Sequence, residues 1–391
     1  MSHAIILGDP HLGKGASSLG KSELSLKANS KIQDQFKLLD WVLDQAIDKY
    51  CSHIIITGDI FEDPKPHQEI VIEFIKWLNY CSYHDVNVHI IYGNHDIFRT
   101  GKTYQSSLEI IDEANIPGVH CYNDFTNLFI DNCGITIAPF RDKKSYFAET
   151  PKEALYILEN ILFYQNIEIP NFYHKICIGH LALEGSIPVG DEFDDLLNEL
   201  ICPLSLFENY SHVWMGHVHT PQVLSNNPYM SHIGSMDISN FGESEQVKHI
   251  TILNCEDATF EDVVIPTKKL NKIVIDIPED INDATEFVMS KINNLNVKNQ
   301  IVKIEISSNS VGTKATDKKE IEKLLISKGV YSISSVSESK KVNIVKKTNS
   351  KISFGLDVKE SIKKFADDHI PENIRQESIS LMFDIYNSLE K

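Results

Sequence analysis

The 391 residues are 42% hydrophobic, enough for two to three domains with buried cores, which excludes a disordered or fibrous chain. Its 37 basic and 55 acidic side chains leave a net charge of −18, which taken alone argues against a general nucleic-acid binder, because phosphate contacts need cations. The deficit is uneven: residues 1–270 hold 18 basic and 37 acidic side chains, whereas 271–391 hold 19 and 18.

In chain order, the apolar run at residues 3–7 ends in Gly8-Asp9-Pro10-His11, the pattern of a buried strand that delivers polar residues at its C-terminal end. Helical spacing of Ile32, Phe36, Leu39, Val42, Leu43 and Ile47 leads to a second strand at 53–57 and Gly58-Asp59. A further amphipathic stretch (Ile70, Val71, Phe74, Ile75, Leu78) leads to a third strand at 88–92 and Gly93-Asn94-His95-Asp96. Alternation of this kind predicts βαβ units around a largely parallel sheet. Beyond about residue 116 the texture changes to shorter strands with turn signals at 128–131 and 135–138, then a helix at 154–164. Strands at 175–178 and 213–215 precede Gly179-His180 and Gly216-His217-Val218-His219, and short strands are expected at 222–225, 229–233, 249–253 and 259–265.

Residues 268–336 read as a small α+β module with a strand at 272–277, a helix at 284–295 and a strand at 300–307. The Lys- and Ser-rich stretch 337–356 reads as a linker, and 357–391 as helices with apolar stripes that need a partner surface. The seven Cys (51, 81, 121, 133, 177, 202, 255) contain no C-x-x-C pair, so a reducing compartment is expected rather than a disulfide framework. No apolar run approaches the ~18 residues of a membrane span, and the chain starts without a secretory pattern, so a cytoplasmic protein with no membrane contact is expected.

Five strand ends therefore present Asp9/His11, Asp59, Asn94/His95, His180 and His217/His219, each beside a glycine. Any one of them alone is an ordinary turn or a satisfied core histidine. Five in series, at the strand ends where α/β sheets collect ligands, make a complete donor set for two metals. From 176 to 247 there is no Lys or Arg, yet five of the sixteen His fall there. Carboxylate, imidazole and amide oxygen together suit Mn²⁺, Fe²⁺ or Zn²⁺. One carboxylate bridging two ions can clamp a phosphoester between them and activate water for in-line attack.

These residues resemble a known family. D-x-H at Asp9–His11, G-D at Gly58-Asp59, G-N-H-D at Gly93–Asp96, G-H at Gly179-His180 and G-H-x-H at Gly216–His219 are similar to the five signatures of the calcineurin-like metallophosphoesterases. Within that superfamily, G-D-P-H-L-G, G-D-I-F-E-D, Y-G-N-H-D and G-H-V-H-T-P-Q resemble the SbcD-type nuclease subunit of double-strand-break repair complexes, including the small subunit of phage recombination endonucleases. The resemblance covers residues 1 to about 265 by motif and the rest by layout only.

The resemblance implies a four-layer α/β/β/α sandwich over 1–267, an α+β capping domain that contacts DNA, and a C-terminal helical segment that docks on an SMC-like coiled-coil ATPase. It implies one metal on Asp9, His11, Asp59 and His219 and a second on Asp59, Asn94, His180 and His217, with Mn²⁺ the expected ion. His95 would face the scissile phosphate, and Asp96 would either orient His95 or cap the turn. A homodimer is implied, through helices near 66–82 and 103–115. The lysines after the first motif, Lys14, Lys21, Lys27 and Lys31, and after the third, Arg99 and Lys102, are candidates for gripping a DNA backbone. Ile362, Phe365, Ile379, Phe383 and Tyr386 are candidates for the ATPase contact.

The function expected is Mn²⁺-dependent hydrolysis of DNA phosphodiesters, as a 3′-to-5′ exonuclease on duplex ends and an endonuclease on single strands, in repair, recombination and replication. One alternative is a small-nucleotide phosphodiesterase or phosphatase of the same superfamily. Glu62 and Asp63 stand where protein phosphatases carry G-D-x-V-D-R-G, which disfavours that branch. Another is a scaffold subunit that tethers DNA ends. The F-G-E of the family's last segment is displaced here, with Ile-Ser-Asn separating Gly234–Asp237 from Phe241–Glu243.

Overall fold

The computed structural model describes residues 2–16, 18–19, 29–100, 103–188, 199–278, 281, 283–308, 316–340 and, near the C-terminus, 363, 365–366, 375–376 and 378–383. Strand β1 (His3–Leu7) is followed by helix α1 (Ser30–Asp48), β2 (Cys51–Ile56), α2 (Gln68–Tyr83) and β3 (Asn87–Ile91). Asn29 starts α1 by accepting from the backbone N–H groups of Lys31 and Ile32. A hairpin of β4 (Ile97–Thr100) and β5 (Thr103–Ser106), helix α3 (Leu108–Glu113) and β6 (Val119–Tyr122) complete the first half.

β1, β2, β3 and β6 pair in parallel, as the βαβ reading predicts. The second half adds β7 (Thr126–Ile130), β8 (Cys133–Ala138), α4 (Pro151–Glu168), β9 (His174–Gly179), the short pair β10 (Ala182–Leu183) and β11 (Ile201–Cys202), then β12 (His212–Met215), β13 (Gln222–Asn226) and β14 (Tyr229–His232). β15 (His249–Asn254) and β16 (Phe260–Val264) return to the first sheet, where β15 lies antiparallel to β1. Two six-stranded sheets result, ordered β16-β15-β1-β2-β3-β6 and β13-β14-β12-β9-β8-β7.

Strand alternation decides what lies between the sheets. Ile5, Leu7, Ile54, Ile56, Val88 and Ile90 pack against Leu39, Val42 and Leu43 of α1 and Phe74, Trp77 and Leu78 of α2. The opposite faces, Ala4, Ile6, Ile55 and Ile91, meet Ile135, Ile137, Ile176, Ile178 and Trp214 of the second sheet. Cys177, Val213 and Met215 face away, against Ala154, Leu155, Leu158 and Leu162 of α4. The order is helices, sheet, sheet, helix: the expected four layers.

Strands β17 (Leu270–Ile277), β18 (Ile301–Ser308) and β19 (Ser332–Lys340) form a small all-parallel sheet. Helices Ala284–Asn293 and Lys318–Ser327 cover one face, through Val288, Ile292, Ile321 and Leu325. Two features differ from the sequence reading. Helix Lys318–Ser327 and β19 extend the module, and β19 runs into the stretch read as linker, because alternate Ser and Glu residues suit a strand with one uncovered face. The second stretch expected at the dimer contact, 103–115, is a strand followed by the short α3 rather than one helix.

Leu19 and Ile238, from the loops after His11 and His219, pack with Leu270 and Ile301, tying the small sheet to both loops. Residues 351–391 form a second unit, whose described residues are helical. Within it Ala366 is buried, Phe365 exposed, and Ile379 and Phe383 half-buried; Ile362 and Tyr386 lie outside the described residues. Among the described residues no helix is long and apolar enough to cross a membrane.

Candidate metal centre

The C-terminal ends of β1, β2 and β3 from one sheet and of β9 and β12 from the other converge. His11, Asp59 and His217 adopt left-handed backbone conformations with φ of 42°, 49° and 80°. Non-glycine residues rarely do so, and such strain persists where surrounding contacts over-determine it. Those contacts are present. His11 N donates to the Asp59 carbonyl (2.9 Å) and Leu12 N to the Ile60 carbonyl (2.8 Å), so the first two ligand loops run side by side. His217 N donates to Asp9 Oδ2 (2.6 Å), Thr57 Oγ1 to Asp9 Oδ1 (2.9 Å), and His95 N to Asp59 Oδ1 (2.8 Å).

The structure brings together all seven expected metal-ligating residues, in two groups that share Asp59. In the first, His11 Nε2 lies 3.4 Å from Asp59 Oδ2 and 2.9 Å from His219 Nε2, with Asp9 beside them. In the second, His180 Nε2 lies 3.3 Å from Asp59 Oδ2, 2.9 Å from Asn94 Oδ1 and 3.2 Å from His217 Nδ1, which is itself 3.1 Å from Asn94 Oδ1. All seven side chains except that of the half-buried Asn94 are buried.

The far nitrogens of these rings decide what the near ones present. His180 Nδ1 donates to the Thr57 carbonyl (2.9 Å), His11 Nδ1 lies 2.8 Å from Glu62 Oε2, and His217 Nε2 contacts Glu199. A neutral His180 then turns the lone pair of Nε2 toward Asp59 and Asn94, acceptor facing acceptor at about 3 Å, an arrangement that a divalent cation resolves. The donors fit two metal ions. A proton on His180 is the chain's own relief of this crowding: burial lowers that pKa, yet Asp59 and Asp9 drive it up to about 10. Burial also raises Asp9, whereas for Asp59 the neighbouring histidines, His180 first, outweigh burial and hold the carboxylate well below its ordinary range. Burial pushes His11 well below the usual imidazole range, aided by Lys14 and His219, keeping the ring neutral as a ligand must be.

His95 stands at the rim, its ring edge-on to His11 with centroids 4.8 Å apart. Its Nδ1 lies 2.7 Å from the Glu62 carbonyl, which accepts, so in the neutral ring Nε2 keeps the lone pair. Asp96 does not orient it. Its carboxylate accepts from Gly93 N (2.9 Å) and Ile60 N (3.0 Å), clasping two ligand loops, and burial with Asp59 nearby lifts its pKa to about 7. The turn-capping alternative for Asp96 is the one the geometry favours.

The expected DNA contacts fare unevenly. Lys14 is partly exposed, 3.5 Å from Glu62 Oε2. Lys31 is a correction: it is buried, its ammonium 2.6 Å from Asp237 Oδ2 and 2.8 Å from the Ile238 carbonyl, so it braces the loop after His219 and is withdrawn from any ligand. Arg99 lies on β4, opposite Tyr104. Lys21, Lys27 and Lys102 lie outside the described residues.

Residues that sequence reasoning missed back the ligands. Glu62 lies against His11 and Glu199 against His217. Glu243 is buried with Lys248 (2.9 Å) and lies 3.8 Å from His219 Nδ1; burial opposes its ionisation, but His219 and Lys248 hold its pKa at about 2. The displaced F-G-E segment thus still delivers its carboxylate to the site. Phe140 walls the second group, its ring 5.9 Å from His217 and 6.3 Å from His180.

The chain is 22% identical to a DNA double-strand break repair protein Mre11 of Thermoplasma acidophilum over 279 residues, 70% of either chain. It is 24% identical over 226 residues to a protein of the same name from Methanopyrus kandleri, covering 55% of this chain and 44% of that one. Among solved structures, a dimetal phosphatase from Danio rerio aligns with 68% of this chain and 98% of its own at 11% identity and a TM-score of 0.41. The profile of the calcineurin-like phosphoesterases matches residues 3–221, more than half of the sequence, and the chain belongs to that family.

Proposed function

We propose that this chain is the nuclease subunit of a DNA-end-processing assembly, hydrolysing phosphodiesters 3′-to-5′ from duplex ends and endonucleolytically in single strands with two Mn²⁺ ions. One observation carries the reading: buried carboxylates and imidazoles gather within metal-ligand reach around Asp59, which clusters with His11 and His95 on one side and with His180 and His217 on the other, while His95 Nδ1 is taken up by the Glu62 carbonyl. The two relatives named for double-strand break repair support DNA as the substrate. Asp9, His11, Asp59 and His219 would hold one ion, and Asp59, Asn94, His180 and His217 the other. Bound there, the ions supply Lewis acidity and activate water toward phosphorus. The protein's share is to fix the donors, exclude solvent and place His95, whose Nε2 accepts or delivers a proton at the reacting phosphate or leaving oxygen.

Asp59→Asn and His95→Gln, assayed with Mn²⁺ on linear duplex and single-stranded circles, test this. Asp59→Asn is expected to lose metal and cleavage, and His95→Gln to keep both ions and lose cleavage. Unchanged cleavage by both variants overturns the site.

The segment 351–391, with Phe365, Ile379 and Phe383, is proposed to dock on a coiled-coil ATPase of the SMC class; a chain lacking 352–391 should keep metal and lose co-purification. A homodimer is proposed through α2 and α3, whose exposed Ile72, Tyr80, Tyr83 and Ile110 suit a two-fold contact.

A further inference from the structure

We infer that Thr57 is a positioning residue whose hydroxyl holds the Asp9 carboxylate in place at the seam between the two sheets. The inference rests on the reading above, in which Asp9 is a donor to one of the two ions. Thr57 ends the run Ile54-Ile55-Ile56-Thr57, where a valine would suit a buried strand equally well, so the strand itself has no need of a hydroxyl. Its N–H donates to the Leu7 carbonyl (3.0 Å), carrying the pairing of β2 with β1 one residue past Ile56. Alternation then gives Thr57 the face of Ile55, toward the second sheet, and there it is fully buried. A buried hydroxyl costs free energy unless it is bonded. This one donates to Asp9 Oδ1 at 2.9 Å, while Asp9 Oδ2 accepts from the main-chain N–H of His217 at 2.6 Å. Of these two holds on Asp9, the hydroxyl is the one made by a side chain.

Thr57 is itself fixed from both halves of the fold. Besides its bond to Leu7, its carbonyl oxygen lies 2.9 Å from His180 Nδ1 at the end of β9. Gly216, before the last ligand pair, keeps room for the hydroxyl and the carboxylate together: a Cβ there would stand 2.5 Å from Thr57 Oγ1 and 2.3 Å from Asp9 Oδ1. A β-branched side chain is stiff about χ1. Locked at this point, the hydroxyl sets the direction in which Asp9 points and does not merely follow it.

Shape and donor separate by mutation. Thr57→Val keeps the branched shape and removes the donor, whereas Thr57→Ser keeps the donor and removes a buried methyl. Calorimetric titration of the full chain with Mn²⁺ is expected to show one of two ions bound about 10- to 100-fold more weakly by Thr57→Val. Thr57→Ser is expected to keep wild-type affinity although it melts below the wild type. A role confined to stability would instead make affinity follow the melting temperature in both variants. Thr57→Ala, which differs from Thr57→Ser by the oxygen alone, repeats the comparison and should bind Mn²⁺ as weakly as Thr57→Val. Crystals of the metal-free chains should show Asp9 turned away in Thr57→Val and in place in Thr57→Ser. Two ions bound with wild-type affinity by Thr57→Val or Thr57→Ala, or an unmoved Asp9 carboxylate in either, overturns the inference. A wild-type chain that binds no Mn²⁺, with Asp9 displaced in Thr57→Val and kept in Thr57→Ser, supports the positioning role and overturns the metal-nuclease reading instead.

Discussion

A Cβ placed on Gly93 would sit 2.1 Å from Asp59 Oδ1 and 2.4 Å from the Asp59 nitrogen, so the Asp59 carboxylate occupies space that any other residue at 93 would claim. The same holds at Gly216, whose Cβ would meet Asp9 Oδ1 at 2.3 Å. Gly93→Ala is therefore expected to displace Asp59, abolish tight binding of both Mn²⁺ ions and cut cleavage by at least about 100-fold, equivalent to about 3 kcal/mol of barrier. Calorimetric titration with Mn²⁺ beside a thermal melt checks this; a folded Gly93→Ala chain that binds two ions normally refutes it.

Lys31 and Asp237 bind each other across the interior, joining the start of α1 to the loop that follows His219. Removing one partner strands a buried charge, at a cost of about 3–5 kcal/mol. Lys31→Ala should unfold at distinctly lower urea concentration. The double variant Lys31→Met with Asp237→Leu should recover part of the loss. A Lys31→Ala chain of wild-type stability that binds DNA more weakly would return Lys31 to the role of a phosphate contact.

His89 bridges His53 Nδ1 (3.0 Å) and the Tyr122 hydroxyl (2.9 Å) on the first sheet, away from the metal centre. Burial, followed by His53 and His120, lowers its pKa to about 3. A depressed imidazole pKa means that the unfolded chain takes up its proton first as pH falls. Stability from this group is therefore complete above pH ~6.5, the unfolded value, and drains away down to about 3, amounting to about 2 kcal/mol by pH 5. His89→Phe should show a flatter decline of the thermal midpoint between pH 7.5 and 5 than the wild type. An unchanged slope would show that other groups carry the acid sensitivity.

Mn²⁺ bound only by the folded state raises stability in proportion to the logarithm of its concentration over Kd, about 2.7 kcal/mol at a hundredfold excess over Kd. The melting temperature should rise with added Mn²⁺ and fall on chelation, and Asp59→Asn should remove the whole increment. A variant that keeps the increment would place the ions elsewhere.

The strand ends were legible because buried parallel strands read as apolar runs and the glycines after them mark where backbones must pass closely, as Gly93 and Gly216 do. What lies behind the ligands was not. Lys31 reads as a surface cation among small polar residues, and its partner is 206 positions away. Glu199 follows no motif, and its approach to His217 depends on the β10–β11 pairing. Asp96 adjoins His95 in sequence, yet its carboxylate turns back to Gly93 and Ile60. Glu62 and Glu243 carried local signals, the one three residues beyond Asp59 and the other in the displaced F-G-E segment.

The seven donors are divided between the two sheets: Asp9, His11, Asp59 and Asn94 from the first, His180, His217 and His219 from the second. Either ion would then be a rivet through the seam, with shanks in both halves. A rivet of that kind reports on the joint. Metal uptake would then be a gauge of whether the sheets are docked, and a half-formed molecule with only one sheet built would be chemically silent, unable to act on a phosphoester before both sheets have closed.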